Sequence, residues 1–146
     1  AIGKFFEKAS REPWFNNTIF VLTSDHTNLS DHAFYETDLG GFCSPIIIYE
    51  PGDAERQPEI QDKIAQQIDI LPTIMGMLHY QKPYFGFGID LLNTPAEDHW
   101  AVNYLNGIYQ YVKHGHVLQF DGEKTRVGYA LTDSLMKHNL VGNCPD

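Results

Sequence analysis

The sequence predicts an α/β fold: a partial three-layer αβα domain with a mainly parallel sheet, followed by a small antiparallel β subdomain with a C-terminal helix. Helical and strand-like patterns alternate over the first two-thirds of the chain. The run from Thr18 to Leu22 has no polar alternation, which is typical of a strand buried on both faces of a parallel sheet. Glycine-containing breaks then separate short segments rich in Tyr, Val and Phe, which is typical of an antiparallel meander. We therefore assign residues 1–92 to the α/β domain and residues 93–146 to the β subdomain.

The α/β domain begins with a short amphipathic helix that ends by Pro13. Its apolar residues at helical spacing are Ile2, Phe5, Phe6 and Ala9. The strand that starts at Thr18 comes next, and after a polar loop the segment from Pro45 to Tyr49 predicts a second strand. A second helix follows, with the apolar residues Leu71, Ile74, Met75 and Leu78. We expect Asp69 to cap this helix rather than to act as a catalytic acid, and Asp90 to fix a turn.

The β subdomain is predicted from four short segments whose breaks each contain glycine. The breaks are Asn106-Gly107, His114-Gly115 and Asp121-Gly122. We expect Tyr104, Tyr109 and Tyr111 to form the packing face of this sheet, the alternative being a carbohydrate-facing patch. His114 and His116 are expected at an exposed turn, although two histidines two residues apart on a strand could bind a stray metal ion. Thr132, Asp133 and Ser134 predict the start of a final helix through Leu135 and Met136.

The composition excludes some partners. Ten Lys plus Arg against nineteen Asp plus Glu give a formal net charge of -9, which argues against binding nucleic acid or an anionic membrane through bulk charge. An anionic substrate would then need a local cation such as a bound metal ion. No apolar run approaches the roughly 20 residues of a membrane span. Cys43 and Cys144 could form one disulfide or remain two free thiols.

Asp25 and His26 directly follow the first predicted strand and are the candidate metal ligands. Ligand sites in α/β sheets gather at the carboxyl ends of strands, and a carboxylate with an imidazole suits a divalent metal ion. The alternative is an ordinary surface turn, in which both residue types are common. A catalytic metal site needs at least three protein ligands, and the rest of the chain offers no clear cluster of them.

Several short motifs occur in an order that resembles one family. They are Thr23-Ser-Asp25-His26, Tyr35-Glu-Thr37, Pro45-Ile-Ile-Ile-Tyr-Glu-Pro51-Gly52, Gln67-Ile-Asp69-Ile-Leu-Pro72-Thr73 and Phe87-Gly-Ile-Asp90-Leu-Leu92. In this order they resemble the carboxyl-terminal half of the sulfatase and lipoteichoic-acid-synthase-like (phosphoglycerol transferase) branch of the alkaline phosphatase superfamily. The resemblance spans Phe5 to Leu92.

The resemblance implies a metal-dependent enzyme acting on sulfate or phosphate esters of a glycan or a phospholipid head group. Asp25 and His26 match the family's Asp-His metal ligands, and the metal would be manganese, magnesium, calcium or zinc. The nucleophile and an acidic ligand are expected upstream of Ala1, so this chain alone is expected to be inactive. Many sulfatases have Gly after Asp-His, whereas Thr27 stands here, which places the chain nearer the phosphoglycerol transferase branch.

Three further expectations follow. His32, in the loop after the metal pair, is either a contact to the substrate or a solvated loop residue. The resemblance also implies a membrane-anchored parent protein, on the extracytoplasmic face of the cell envelope, whose upstream half completes the domain. The alternative function is a non-catalytic binding or interaction module of the envelope, in which the metal pair is vestigial.

Overall fold

A computed structural model describes residues 1–27, 30–53 and 59–142 of the chain. Its residues group into two compact units. The first contains residues 1–24 and 45–62, and the second contains residues 25–44 and 63–146. The units alternate along the chain because the loop after the first strand groups with the later part of the chain. The predicted domain boundary near Leu92 stays a prediction. Cys144 lies outside the described residues, and so does any pairing between it and Cys43.

The first unit is built from one helix and two short strands. Helix α1 (Ile2–Ala9) confirms the first predicted helix. Strands β1 (Phe20–Thr23) and β2 (Ile46–Tyr49) confirm the two predicted strands. An eight-residue helix is marginal alone, and tertiary contacts stabilise it. The Phe6 ring lies 5.1 Å from that of Phe20 and 5.6 Å from that of Tyr49, both edge-on.

The prediction of a mainly parallel sheet is wrong for the part of the chain that the structure describes. β1 and β2 run antiparallel, with Phe20 opposite Tyr49 and Thr23 opposite Ile46. A parallel pair needs a crossover connection, usually a helix, and the described residues between these strands form only short 3-10 turns. The β1 side chains Phe20 to Leu22 are half-buried rather than buried on both faces.

The second unit contains helix α2 (Ile70–Met77) and a four-stranded antiparallel sheet. Its strands, which follow one another in space as in sequence, are β3 (Trp100–Leu105), β4 (Ile108–Lys113), β5 (His116–Phe120) and β6 (Thr125–Ala130). The first two breaks are tight turns with positive φ at both central residues: 51° and 85° at Asn106 and Gly107, and 48° and 74° at His114 and Gly115. Such turns match the twist of the strands they join. The predicted meander is confirmed, with His114 and His116 at an exposed turn.

The packing face of this sheet is opposite to the predicted one. Ala101, Val112 and Val117 lie opposite one another on adjacent strands and form a buried core with Leu39. Tyr104, Tyr109 and Tyr111 lie on the exposed face. Alternation divides a strand's side chains between two faces, but it does not say which face is covered. The smaller aliphatic face is the covered one because the loop that contains Leu39 packs against it.

The predicted C-terminal helix is also wrong. Residues 132–142 form turns, and Met136 has a φ of 51°. The Asp133 carboxylate accepts hydrogen bonds from the backbone N–H groups of Lys137 and His138 at 2.9 and 2.7 Å. These bonds satisfy amides that a helix would direct to backbone carbonyls. The chain then returns to β6, where Leu140 N–H donates to the Gly128 carbonyl at 2.8 Å.

Candidate metal and substrate site

Asp25 and His26, the residues predicted to bind a metal ion, form an exposed pair. The backbone N–H of His26 donates to Asp25 Oδ1 at 3.0 Å, and His26 Nε2 lies 3.6 Å from Asp25 Oδ2. His26 Nδ1 lies 2.7 Å from the carbonyl oxygen of Thr27. Since a carbonyl only accepts, the neutral ring must carry its hydrogen on Nδ1, which leaves a lone pair on Nε2. Imidazole ligands of metals commonly have this arrangement, in which the other ring nitrogen donates to a carbonyl.

The spacing of the pair suits one divalent ion. Two ligands at typical metal distances lie about 3.3–3.6 Å apart around a tetrahedral ion, and the Asp25 Oδ2 to His26 Nε2 distance falls at the upper end of that span. Both side chains are largely exposed, so an ion can reach them. Among the described residues, no group of three or more His, Cys, Asp or Glu side chains could hold a metal ion. The pair therefore fits two positions of a metal site, and the described residues do not complete it.

The neutral His32 ring carries its hydrogen on Nε2, whereas that of His26 carries it on Nδ1. The backbone N–H of Phe34 donates to His32 Nδ1 at 3.3 Å. A neutral ring that accepts at Nδ1 carries its hydrogen on Nε2. The ring of Tyr35 stands edge-on to it with centroids 5.8 Å apart. His32 is exposed, so its Nε2–H is available as a donor, whereas His26 offers an acceptor.

The loop that follows the pair is held by packing and hydrogen bonds that the sequence did not reveal. The Thr27 hydroxyl donates to the carbonyl oxygen of Gly41 at 2.5 Å. Gly40 lies so close to the Phe34 carbonyl that a side chain at this position would collide with it. Leu39 joins the buried core of the sheet. The polarity of this segment predicted only a loop, while its few apolar residues anchor it to the β-sheet core.

Asp69 organises a buried polar network beside helix α2. Its Oδ2 accepts from the backbone N–H of Gln66 at 2.8 Å, and its Oδ1 accepts from that of Ile89 at 2.9 Å. Together with the Gln66 side chain it forms a capping box on the 3-10 turn that leads into α2. Burial raises the pKa of Asp69, against the backbone hydrogen bonds, which lower it. The prediction that the Asp69 side chain caps α2 is wrong, because its carboxylate makes no capping hydrogen bond to that helix and instead caps the preceding 3-10 turn.

Sequence reasoning missed His99. The side chain is 1% exposed, with Nδ1 2.8 Å from the Ile64 carbonyl oxygen and Nε2 3.1 Å from that of Thr94. It thereby ties two loops to the start of β3. Only its place between a turn and a strand could have hinted at burial. Asp90 fixes its turn as predicted, accepting from the backbone N–H of Leu92 at 3.0 Å.

Two further features bear on chemistry. Burial raises the pKa of the Cys43 thiol, so the thiolate needed for nucleophilic attack is disfavoured there. No helix in the described ranges is long and apolar enough to cross a bilayer.

Comparison with known proteins adds to this geometry. A family model described as Sulfatase matches residues 1–80. An arylsulfatase from Clostridium perfringens (strain 13 / Type A) is 28% identical over 118 residues, which cover 75% of this chain and 24% of that protein. The lipoteichoic acid synthase-like protein YvgJ from Bacillus subtilis (strain 168) is 28% identical over 140 residues, covering 84% of this chain and 23% of that protein. The chain therefore spans about a quarter of the length of these curated relatives.

A solved structure is also similar. It is that of a protein in the alkaline phosphatase superfamily from Vibrio parahaemolyticus, with a TM-score of 0.75 and 26% sequence identity. The match covers 93% of this chain and 33% of that one. The predicted α/β class and the resemblance noted from the ordered motifs are both confirmed.

Proposed function

Because this chain belongs to the sulfatase family, we propose that it supplies part of the active site of a metal-dependent enzyme acting on sulfate or phosphate esters. The observation that carries the proposal is the Asp25 and His26 pair. The carboxylate oxygen and the ring nitrogen, 3.6 Å apart, are free to bind the same ion, and a backbone carbonyl sets the tautomer. We further propose that the nucleophile and an acidic metal ligand come from the upstream half of the parent protein.

In this proposal each side chain has a distinct role. Asp25 Oδ2 and His26 Nε2 would hold the ion, while the Thr27 carbonyl fixes the imidazole ring. When bound, a divalent ion supplies positive charge that stabilises negative charge on the transferring group. The His32 Nε2–H donates to an oxygen of the ester. The chain carries a net charge of -9, so attraction of an anionic ester depends on the ion and on such local donors.

The similar proteins support a proposal for the substrate class. Similarity to an arylsulfatase and to a lipoteichoic acid synthase-like protein supports sulfate or phosphate esters of a glycan or a phospholipid head group as substrates. The second similarity also supports a membrane-anchored parent protein on the extracytoplasmic face of the cell envelope. Thr27 replaces the glycine of many sulfatases and uses its hydroxyl to hold the loop at Gly41. This difference favours the phosphoglycerol transferase branch.

Manganese titration followed by NMR tests the metal pair directly. Paramagnetic Mn²⁺ should broaden the His26 and Asp25 resonances first, and D25N and H26Q should each remove that effect. The chain offers a matched control in Asp133 and His138, a second surface Asp-His pair. There the carboxylate is engaged by two backbone N–H groups and by the ring itself, with Nδ1 at 3.2 Å. Broadening at His138 equal to that at His26 would contradict the proposal, and no broadening at either would favour the non-catalytic module.

A turnover assay tests the division of the active site. We expect the 146-residue chain to release no nitrophenol from nitrophenyl sulfate or nitrophenyl phosphate with Mn²⁺ present. The reason is that the nucleophile is proposed to come from the upstream half of the parent protein. Metal-dependent release that disappears in D25N would show that the nucleophile lies within this chain.

A further inference from the structure

Asp38 and Gln119 join the segment after the metal pair to the four-stranded sheet. Gln119 Nε2 donates to Asp38 Oδ2 at 2.8 Å, although the two residues are 81 positions apart in the chain. The residue after Asp38 is Leu39, which lies in the buried core of the sheet with Val112 and Val117. Two consecutive residues therefore fix this segment on the sheet, one by a hydrogen bond and one by apolar packing.

Gln119 lies on the covered face of the sheet, where an amide needs a partner. It shares this face with Val117, two residues away on β5, and Gln110 lies opposite it on β4. Both glutamines are buried. Gln110 Oε1 accepts from Asn103 Nδ2 at 3.0 Å within the sheet, whereas Gln119 donates to the Asp38 carboxylate outside it. Because a buried amide is costly unless its hydrogen bonds are made, the sheet favours the position of the segment in which Asp38 meets Gln119.

A turn closed by hydrogen bonds connects Asp38 to Thr27. The Gly41 N–H donates to the Thr37 carbonyl at 2.9 Å, and the Gly40 N–H donates to the Thr37 hydroxyl at 3.0 Å. These bonds hold the Gly41 carbonyl in place. It accepts from the Thr27 hydroxyl at 2.5 Å, so the position of the turn is passed on to the residue next to the metal pair.

Thr27 contacts the imidazole ring of His26 through its own backbone. Its carbonyl oxygen lies 2.7 Å from His26 Nδ1, which places the hydrogen of the neutral ring on that nitrogen. The hydroxyl of the same residue anchors the backbone that carries this carbonyl. The His26 side chain is 73% exposed, so packing does not hold the ring. Without the anchor, the ring would be free to turn or to move its hydrogen to Nε2, the atom that would bind the ion.

We propose that Thr27, Asp38 and Gln119 are positioning residues of the metal pair. All three belong to the second unit, and their contacts lead from strand β5 to the Thr27 carbonyl, which keeps the lone pair of His26 on Nε2. This inference rests on the proposed function, because the orientation of the ring serves chemistry only where the ring binds an ion. It gives the antiparallel sheet a role in the metal site.

The tautomer of His26 tests the role of Thr27 in the full chain. At alkaline pH, where imidazole is neutral, proton–nitrogen NMR should find the ring hydrogen on Nδ1 in the wild type and in T27S, which keeps the hydroxyl. T27V keeps the branched side chain but loses the hydroxyl, so its ring should populate both tautomers. Mn²⁺ should bind T27V about tenfold more weakly, the low end of the loss that follows removal of a partner of a ligating histidine. A T27V ring that keeps the wild-type tautomer would overturn the proposal.

Matched changes in the sheet test Asp38 and Gln119. Q119L removes the hydrogen bond to Asp38, and D38N keeps an oxygen that accepts it. Q110L is the control, because it removes a buried amide from the neighbouring strand whose bond to Asn103 stays within the sheet. Q119L should mix the His26 tautomers and weaken Mn²⁺ binding, whereas D38N and Q110L should match the wild type. Equal changes at His26 in Q119L and Q110L, at a temperature where both are folded by thermal melting, would overturn the proposal.

The two readouts separate this inference from the proposed function. A wild-type chain with the hydrogen of His26 on Nδ1 but no broadening by Mn²⁺ would contradict the proposed function, and the tautomers of T27V and Q119L would still decide the positioning roles. A wild-type ring that already populates both tautomers would overturn the positioning roles, whatever its affinity for Mn²⁺.

Discussion

Replacement of Asp69 by asparagine should destabilise the second unit in a pH-dependent way. Asp69 is fully buried and accepts two backbone hydrogen bonds, from Gln66 at 2.8 Å and Ile89 at 2.9 Å. In D69N one carboxylate oxygen becomes an NH₂ group, which faces one of these N–H donors and cannot accept from it. One buried donor is then left unpaired, which costs about 1–3 kcal/mol. D69A leaves both donors unpaired and should cost about 2–6 kcal/mol.

The pH dependence follows from the pKa of Asp69, which burial raises above its ordinary value of 3.8. Between the unfolded and the folded pKa, the folded state binds more protons than the unfolded state. The free energy of unfolding therefore falls as the pH rises from 3.8 toward the folded pKa. Asparagine does not titrate, so the destabilisation of D69N relative to wild type should be largest near the low end of this window and smaller above it.

Urea unfolding at a series of pH values measures both effects. A W14F background leaves Trp100 as the sole tryptophan, and its carbonyl accepts from the Gln66 side chain at 3.1 Å, so its fluorescence reports on the second unit. D90N is the matched control. Asp90 accepts the N–H groups of Leu92 and Asn93 on the surface, where water can replace a lost bond. A D69N cost no larger than that of D90N, or one that stays constant with pH, would refute the reasoning.

Two further predictions concern the loop after the metal pair and the last turn of the sheet. G40A should destabilise the chain by more than about 1 kcal/mol because the new side chain meets the Phe34 carbonyl, whereas G41A, which meets nothing nearby, should be close to neutral by thermal melting. The pKa of Asp121 is lowered to about 2, chiefly by the backbone N–H groups of Lys124 and Glu123, with Arg126 contributing. NMR of the carboxyl groups should find a pKa of about 2 for Asp121, and R126Q should raise that pKa. The stability that this carboxylate contributes should be lost as the pH falls below 3.8 toward 2. An Asp121 pKa at the ordinary value of 3.8 would contradict the structure.

Local patterns in the sequence were sufficient for several elements. Apolar spacing predicted helix α1 and helix α2, and the glycine breaks predicted the four-stranded meander. These elements are set by interactions between near neighbours in the chain, so apolar spacing and glycine positions are enough to predict them. The order of the short motifs was likewise sufficient for the family. Asp25 and His26 as metal ligands remain a prediction, which their geometry supports.

Tertiary structure decided the features that depend on distant partners. The direction of β2 relative to β1 depends on the path of the connecting chain, which no strand pattern encodes. The covered face of the sheet was decided by Leu39, which joins the core from far away in sequence. The burial of His99 also depends on distant chain, since its ring bonds the Ile64 carbonyl. Sequence by itself determined the positions of α1, α2 and the six strands. Only packing determined which surfaces they share, because burial is a property of contacts between remote segments.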